Sequence, residues 1–157
     1  YTCHSQMIRP FRDEVARYGE YSKAGEFVYD HPFQWGSKRT GPDLAREGGK
    51  YPDSWHYNHM LDPTAMTSGS LMPRYPWLFE DRIDKSKTYN MIKAMKKLGV
   101  PYPAGYENTA NTDLDMQAAI ITQNLAKEKI DVSPTDEIVA LIAYLQRLGT
   151  DIKADKN

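Results

Sequence analysis

At 157 residues the chain is long enough for one ordinary domain, burying roughly two-thirds of the surface it would expose unfolded. Charged residues make up 26% and the formal net charge is -1, so bulk electrostatics call for neither nucleic acid nor an anionic membrane surface. A mean hydropathy of -0.69 and the lack of any run near about 18 apolar residues exclude a transmembrane helix within this stretch, and no secretory signal pattern opens it.

In chain order, Pro10 suits the start of a helix over 11–21, with Val15 and Tyr18 as its apolar face. A short helix over 54–61 follows, capped by Asp53 or Ser54 and closed by Asp62-Pro63. The third, over 85–98, places Ile92, Met95 and Leu98 on one side, gathers Lys93, Lys96 and Lys97 toward its C-terminal end and stops at Gly99. In the fourth, over 113–127, Leu114, Ala118, Ile121 and Leu125 recur at helical period. The last opens with Ser133 as cap, Pro134 in the first helical position and an acidic residue two further on at Asp136, and carries a stripe of Ile138, Leu141, Ile142 and Leu145 up to Gly149. Pro and Gly cluster between these segments, as at Gly41-Pro42, Met72-Pro73 and 101–105, and alternating strand patterns are nearly absent. The class is all-α.

The chemistry-bearing residues are few. Cys3 is the single cysteine, which rules out an internal disulfide, and Cys3-His4 reads as the second half of a C-x-x-C-H haem-attachment motif whose first cysteine would lie just before Tyr1. The chain is therefore expected to be a fragment with a processed or artificial start. Taken alone, a Cys-His pair is more often chance than motif. In C-x-x-C-H the cysteines meet the haem vinyl groups and the histidine is aimed at the iron, and a thioether on the far side raises the reduction potential relative to bis-histidine ligation. Met72, in a Gly69-Ser70-Leu71-Met72-Pro73 loop, has no helical period to serve and is the best candidate, against the general tendency of methionine to fill cores. Met91, Met95 and Met116 sit in helical segments and fit that core role, while Met7, Met60 and Met66 remain undecided. His56 and His59 have a spacing that can chelate a metal, but a polar helix face is the commoner outcome, and His31 reads as structural or as a subunit contact.

The order Cys3-His4, Thr40-Gly41-Pro42-Asp43-Leu44, a short helix ending at Asp62-Pro63, Met72-Pro73, then a terminal helix with Leu141-Ile142-Ala143-Tyr144-Leu145 resembles a class I cytochrome c. Closer still, residues 3–10, Gly25 through Leu44 (including Phe27-Val28-Tyr29-Asp30-His31-Pro32-Phe33-Gln34-Trp35) and Met72-Pro73-Arg74-Tyr75-Pro76-Trp77-Leu78 are similar to the mono-haem subunit of cbb3-type cytochrome c oxidases. The likeness is dense over about 1–80 and beyond that rests mainly on the terminal helix.

That resemblance implies a class I cytochrome c-like domain over 1–150 lacking its N-terminal helix, a helical insertion at 81–130 and a flexible tail at 151–157. It implies one haem c, with Cys3 as a thioether, His4 and Met72 as axial iron ligands and the Pro42 carbonyl orienting His4 through its second ring nitrogen. The missing first cysteine leaves open one thioether, reversible binding or no haem at all. Trp35, Arg39 and Lys38 are expected near the haem propionates, a plain surface charge being the rival reading for Arg39, and Tyr75 and Trp77 wall the pocket or serve as core. The implied role is one-electron transfer from a cytochrome c donor or the di-haem subunit to haem b of the catalytic haem–copper subunit, with no chemistry of its own. The family setting is the periplasmic face of a bacterial inner membrane, with an anchoring helix ahead of these residues. The terminal stripe, deprived of its usual partner helix, is expected to need a second copy, a shifted segment or another chain's helix. A free-standing electron shuttle is the alternative, a peroxidase would need the Met72 bond broken, and a hydrolase lacks any recognisable motif.

Overall fold

The structure, a computed structural model, describes residues 1–150; the expected tail at 151–157 lies outside the described residues. Among the described residues it is all-helical, with one isolated bridge between Arg82 and Asp136 and no strand. The helices are α1 (Arg12–Tyr18), α2 (Asp53–Leu61), α3 (Pro63–Met66), α4 (Thr88–Lys97), α5 (Tyr106–Lys127) and α6 (Glu137–Arg147), with single 3-10 turns at Ala24–Phe27, Pro76–Phe79 and Lys85–Lys87.

The chain divides into two compact units, one formed by Tyr1–Tyr51 with the stretch from Leu145 onward, the other by Pro52–Tyr144. The first has little regular structure and is held by hydrogen bonds between loops. Only α1 breaks the pattern, and it differs from its sequence reading. Val15 is exposed, and the buried residue is Glu14, whose carboxylate meets Arg39 and Arg9 inside the unit. A paired carboxylate, not an apolar stripe, docks this helix.

The second unit has a conventional core of Ala118, Ile121 and Leu125 from α5 and Ile138, Val139 and Ile142 from α6, with Tyr57, Met60, Leu78 and Phe79 packed against it. Two members of the terminal stripe, Ile138 and Ile142, have no exposed surface and cluster with Ala118, Ile121 and Leu125 of α5, so of the expected replacements, a second copy, a shifted segment or another chain's helix, a segment of this chain covers them. Helix α5 starts seven residues earlier than its apolar period indicates. Its first turns are polar, and they are fixed by Tyr106, which stacks on Tyr102 with centroids 5.1 Å apart and donates to Asp113 at 2.6 Å. Helix α6 starts later than Ser133-Pro134 suggests, because Asp136 accepts from the Ser133 N–H at 3.0 Å and Ile83 N–H donates to the Thr135 carbonyl at 2.9 Å, holding 133–136 as a turn. Met91 and Met116, expected in the core, are 63% and 56% exposed.

Two outcomes follow from this core. Leu125→Ala removes a side chain with no exposed surface and should lower unfolding free energy by about 2–5 kcal/mol, read from the urea midpoint. His56 is buried, and burial pushes its imidazole pKa below the ordinary value, so the folded state holds it neutral. Its unfolded form takes up a proton first, so stability is full above pH about 6.5 and declines as pH falls through the lower folded value. Thermal melts from pH 7.5 to 5 should show this decline, and His56→Gln should flatten it.

Candidate haem-ligand site

In the first unit the site begins with a backbone pairing that needs no strand. Gly41 N–H donates to the Cys3 carbonyl at 2.8 Å and Leu44 N–H to the Ser5 carbonyl at 2.9 Å, laying the 41–44 turn alongside 3–5. The His4 imidazole, half-buried, then lies within reach of the turn, with Nδ1 2.7 Å from the Pro42 carbonyl oxygen. A carbonyl only accepts, so Nδ1 carries the proton and the lone pair of a neutral ring sits on Nε2. The ring also explains Gly41: a Cβ there would meet His4 Nε2 at 2.7 Å and Nδ1 at 2.8 Å and collide with Cε1. Gly41-Pro42 thus does two jobs, giving the ring space and an acceptor. Cys3 Sγ is exposed beside it, 3.7 Å from Thr2 Oγ1.

What fixes the turn is a buried charge cluster. Asp43, whose side chain is wholly buried, accepts from Ser5 Oγ at 2.6 Å, Met7 N–H at 2.9 Å and Ala45 N–H at 2.8 Å. Arg39 donates through Nε to Ser5 Oγ at 2.7 Å, and its terminal nitrogens donate to the Met7 carbonyl at 2.6 Å, to Glu14 at 2.8 Å and to Asp43 at 3.2 Å. Hydrogen bonds from Arg39, outweighing the opposing effect of burial, hold the Glu14 pKa down at about 2. The guanidinium expected beside a propionate is therefore engaged inside the unit. Sequence reasoning missed Asp43 and Glu14 as members of the site; the available signal was an acidic residue directly after Gly-Pro, where an Asp readily bonds nearby backbone N–H groups. An open cleft of about 350 Å³ lies against Arg9, Arg17, Tyr18, Arg39 and Pro42, and His4 does not line it.

Trp35, also in the first unit, is 67% exposed and stands at the end of an aromatic series, its ring 4.6 Å from Phe33, which is 4.7 Å from Phe27. Lys38 is exposed.

The remaining candidates fall in the second unit. Met72 is half-buried in a loop tied down at both ends: its N–H donates to Ser70 Oγ at 3.2 Å, and Tyr75 N–H donates to the Met60 carbonyl at 3.1 Å. Arg74 pairs with Asp62 at 2.5 Å, and Tyr75 meets Trp77 edge-on with centroids 5.2 Å apart. Leu71, next to Met72, is 87% exposed. His59 stacks on Trp55 at 4.5 Å, and no group of three His, Cys, Asp or Glu side chains able to hold a metal occurs among the described residues.

An all-helical chain whose imidazole is fixed through its second nitrogen by a proline carbonyl, right after a cysteine, is a cytochrome c-like domain. The chain belongs to the family of cytochrome c oxidase mono-haem subunits, FixO, whose family model matches residues 1–152. No curated protein matches it. Membership implies one haem, a part in electron transfer and association with the other subunits of an oxidoreductase complex in a membrane. No helix among the described residues is long and apolar enough to cross a membrane.

The buried cluster generates a direct test. Arg39→Ala leaves Asp43 without its cation and Glu14 with Arg9 alone, and should cost about 3–5 kcal/mol in urea unfolding. Because the folded Glu14 pKa is depressed, its contribution is complete above its ordinary pKa of 4.5 and is lost as pH falls toward about 2. The variant should lose much of that acid-side slope.

Proposed function

We propose that this chain carries electrons through a single c-type haem, from a cytochrome c donor or a di-haem subunit to haem b of the catalytic oxidase subunit, and transforms no substrate itself. The observation that carries the reading is the bond from His4 Nδ1 to the Pro42 carbonyl. It leaves the Nε2 lone pair pointing away from the Pro42 carbonyl, and a carbonyl acceptor on the other nitrogen fixes tautomer and ring orientation, as is common around metal-binding histidines.

In this reading His4 and Met72 would hold the haem iron, Cys3 would form the thioether and Pro42 would orient His4. One imidazole and one thioether are the donor set of a cytochrome c. When bound, the haem supplies a one-electron ferrous–ferric couple. The residues of the chain set its conditions. Gly41 and Pro42 hold the imidazole in one tautomer and one plane, so ligand geometry need not reorganise between oxidation states. The anchored 70–75 loop restrains the Met72 sulfur. Leu71 offers apolar surface that a porphyrin face would cover. The exposed Trp35 ring, packed on half-buried Phe33, supports a chain docked on other subunits over a free-standing shuttle, since aromatic residues are enriched at protein contact surfaces. In this reading the chain works at the periplasmic face of a bacterial inner membrane.

The test is a redox titration and ferric spectrum of the haem-loaded protein. Met72→Ala should abolish the weak long-wavelength ferric band of a sulfur–iron bond and lower the potential by on the order of 0.1 V, within the ~0.8 V that axial ligands span. An unchanged band and potential would move the distal ligand to another residue.

A further inference from the structure

The net charge of -1 conceals a local asymmetry. Residues 85–98 contain Lys85, Lys87, Lys93, Lys96 and Lys97 and no acidic side chain. Helix α4 sorts this segment into three strips at about 100° per residue. Ile92, Met95 and Lys96 are half-buried and form the inner strip, where Lys96 reaches Glu107 of α5 at 2.8 Å. Met91, Ala94 and Leu98 follow one another on an exposed apolar strip, with Met91 63% and Leu98 55% accessible. Lys93 and Lys97 occupy the exposed strip between, where Lys93 lies 5.2 Å over the Tyr89 ring. Lys85 and Lys87 pair with Asp115 and Asp84, whereas neither Lys93 nor Lys97 makes a close ion pair among the described residues, Lys93 acting only at longer range on Glu107.

We propose that α4 is a lipid contact: it lies along the headgroup layer of an anionic phospholipid bilayer, with Met91, Ala94 and Leu98 facing the acyl chains and Lys93 and Lys97 on the phosphates. The charge is complementary, and the lysines flank the apolar strip, where a long stem follows apolar surface and its ammonium reaches the polar layer. An acidic groove on another protein is the competing occupant. It is disfavoured by the residue types, since protein interface cores concentrate aromatic residues and arginine and are depleted in lysine.

The full chain is sedimented with vesicles of phosphatidylcholine alone and of phosphatidylcholine mixed with phosphatidylglycerol, at low and high salt. Binding is expected only to the mixed vesicles, weakening as salt screens the surface. Lys93→Glu with Lys97→Glu should lower affinity about tenfold or more. Met91→Ser with Leu98→Ser should also lower it, with helix content by circular dichroism unchanged. Lys127→Glu with Lys129→Glu, which alters net charge equally at the end of α5, should leave it intact. The proposal is overturned if mixed vesicles are not bound, if the α4 variants bind as the parent does, or if the α5 control loses as much as the α4 pair. Failure on vesicles alongside retention on oxidase subunits would assign the helix to a protein partner.

Discussion

A buried carboxylate must find donors, and Asp43 finds them on two stretches of chain, 5–7 and 39–45. Its oxygens take the hydroxyl of Ser5, the N–H groups of Met7 and Ala45 and the guanidinium of Arg39, which itself holds Glu14 of α1. Leaving such a group unpaired in the interior costs several kcal/mol, so the residues around it have little freedom to rearrange singly. Everything near His4 inherits that rigidity. The ring is set against Gly41 and Pro42 because residues 3–7 and 39–45 are already locked together through their neighbour at 43.

The two units show how differently legible a sequence can be. Periodicity exposed the helices of the second unit, because Ile121, Leu125, Ile138 and Ile142 repeat at helical spacing and bury one continuous surface. It missed the polar first turns of α5, where the helix is set by Tyr106 stacking and hydrogen bonding and not by an apolar face. It also misjudged α1, since a buried Glu14 carries no signal until Arg39, twenty-five residues on, is known to meet it. In the site, the bond from His4 to the Pro42 carbonyl was implied by the resemblance to class I cytochromes c, because a bare Gly-Pro turn carries little signal by itself. Arg39 was read as a candidate for the haem propionates with a plain surface charge as the rival, and its pairing with Glu14 and Asp43 was not foreseen, because nothing in a linear sequence tells a surface arginine from one that neutralises two buried acids.

The 81–130 stretch was the least informative part of the sequence and is structurally among the most consequential. Half of the second unit's buried core belongs to α5, which takes up the apolar stripe of α6. An insertion judged only by family likeness looks like decoration. Judged by what it covers, it is the partner that lets α6 exist in water. The same hairpin carries α4 on its other flank through Lys96–Glu107 and Lys85–Asp115, so the segment combines a packed inner side with an outward one of quite different character.

Two glycines tie residues 146–149 to the stretch that follows the 41–44 turn. Gly48 N–H donates to the Leu148 carbonyl at 2.9 Å, a Cβ on Gly48 would come within 2.6 Å of the Gln146 and Leu148 carbonyl oxygens, and one on Gly149 would strike the Ala45 carbonyl. Backbone is pressed on backbone here, with the side chains of Thr150, Arg46 and Gln146 packed around the contact. A side chain at either glycine would therefore have to push 45–48 and 146–149 apart, a few peptide units from the carbonyl that holds the His4 ring.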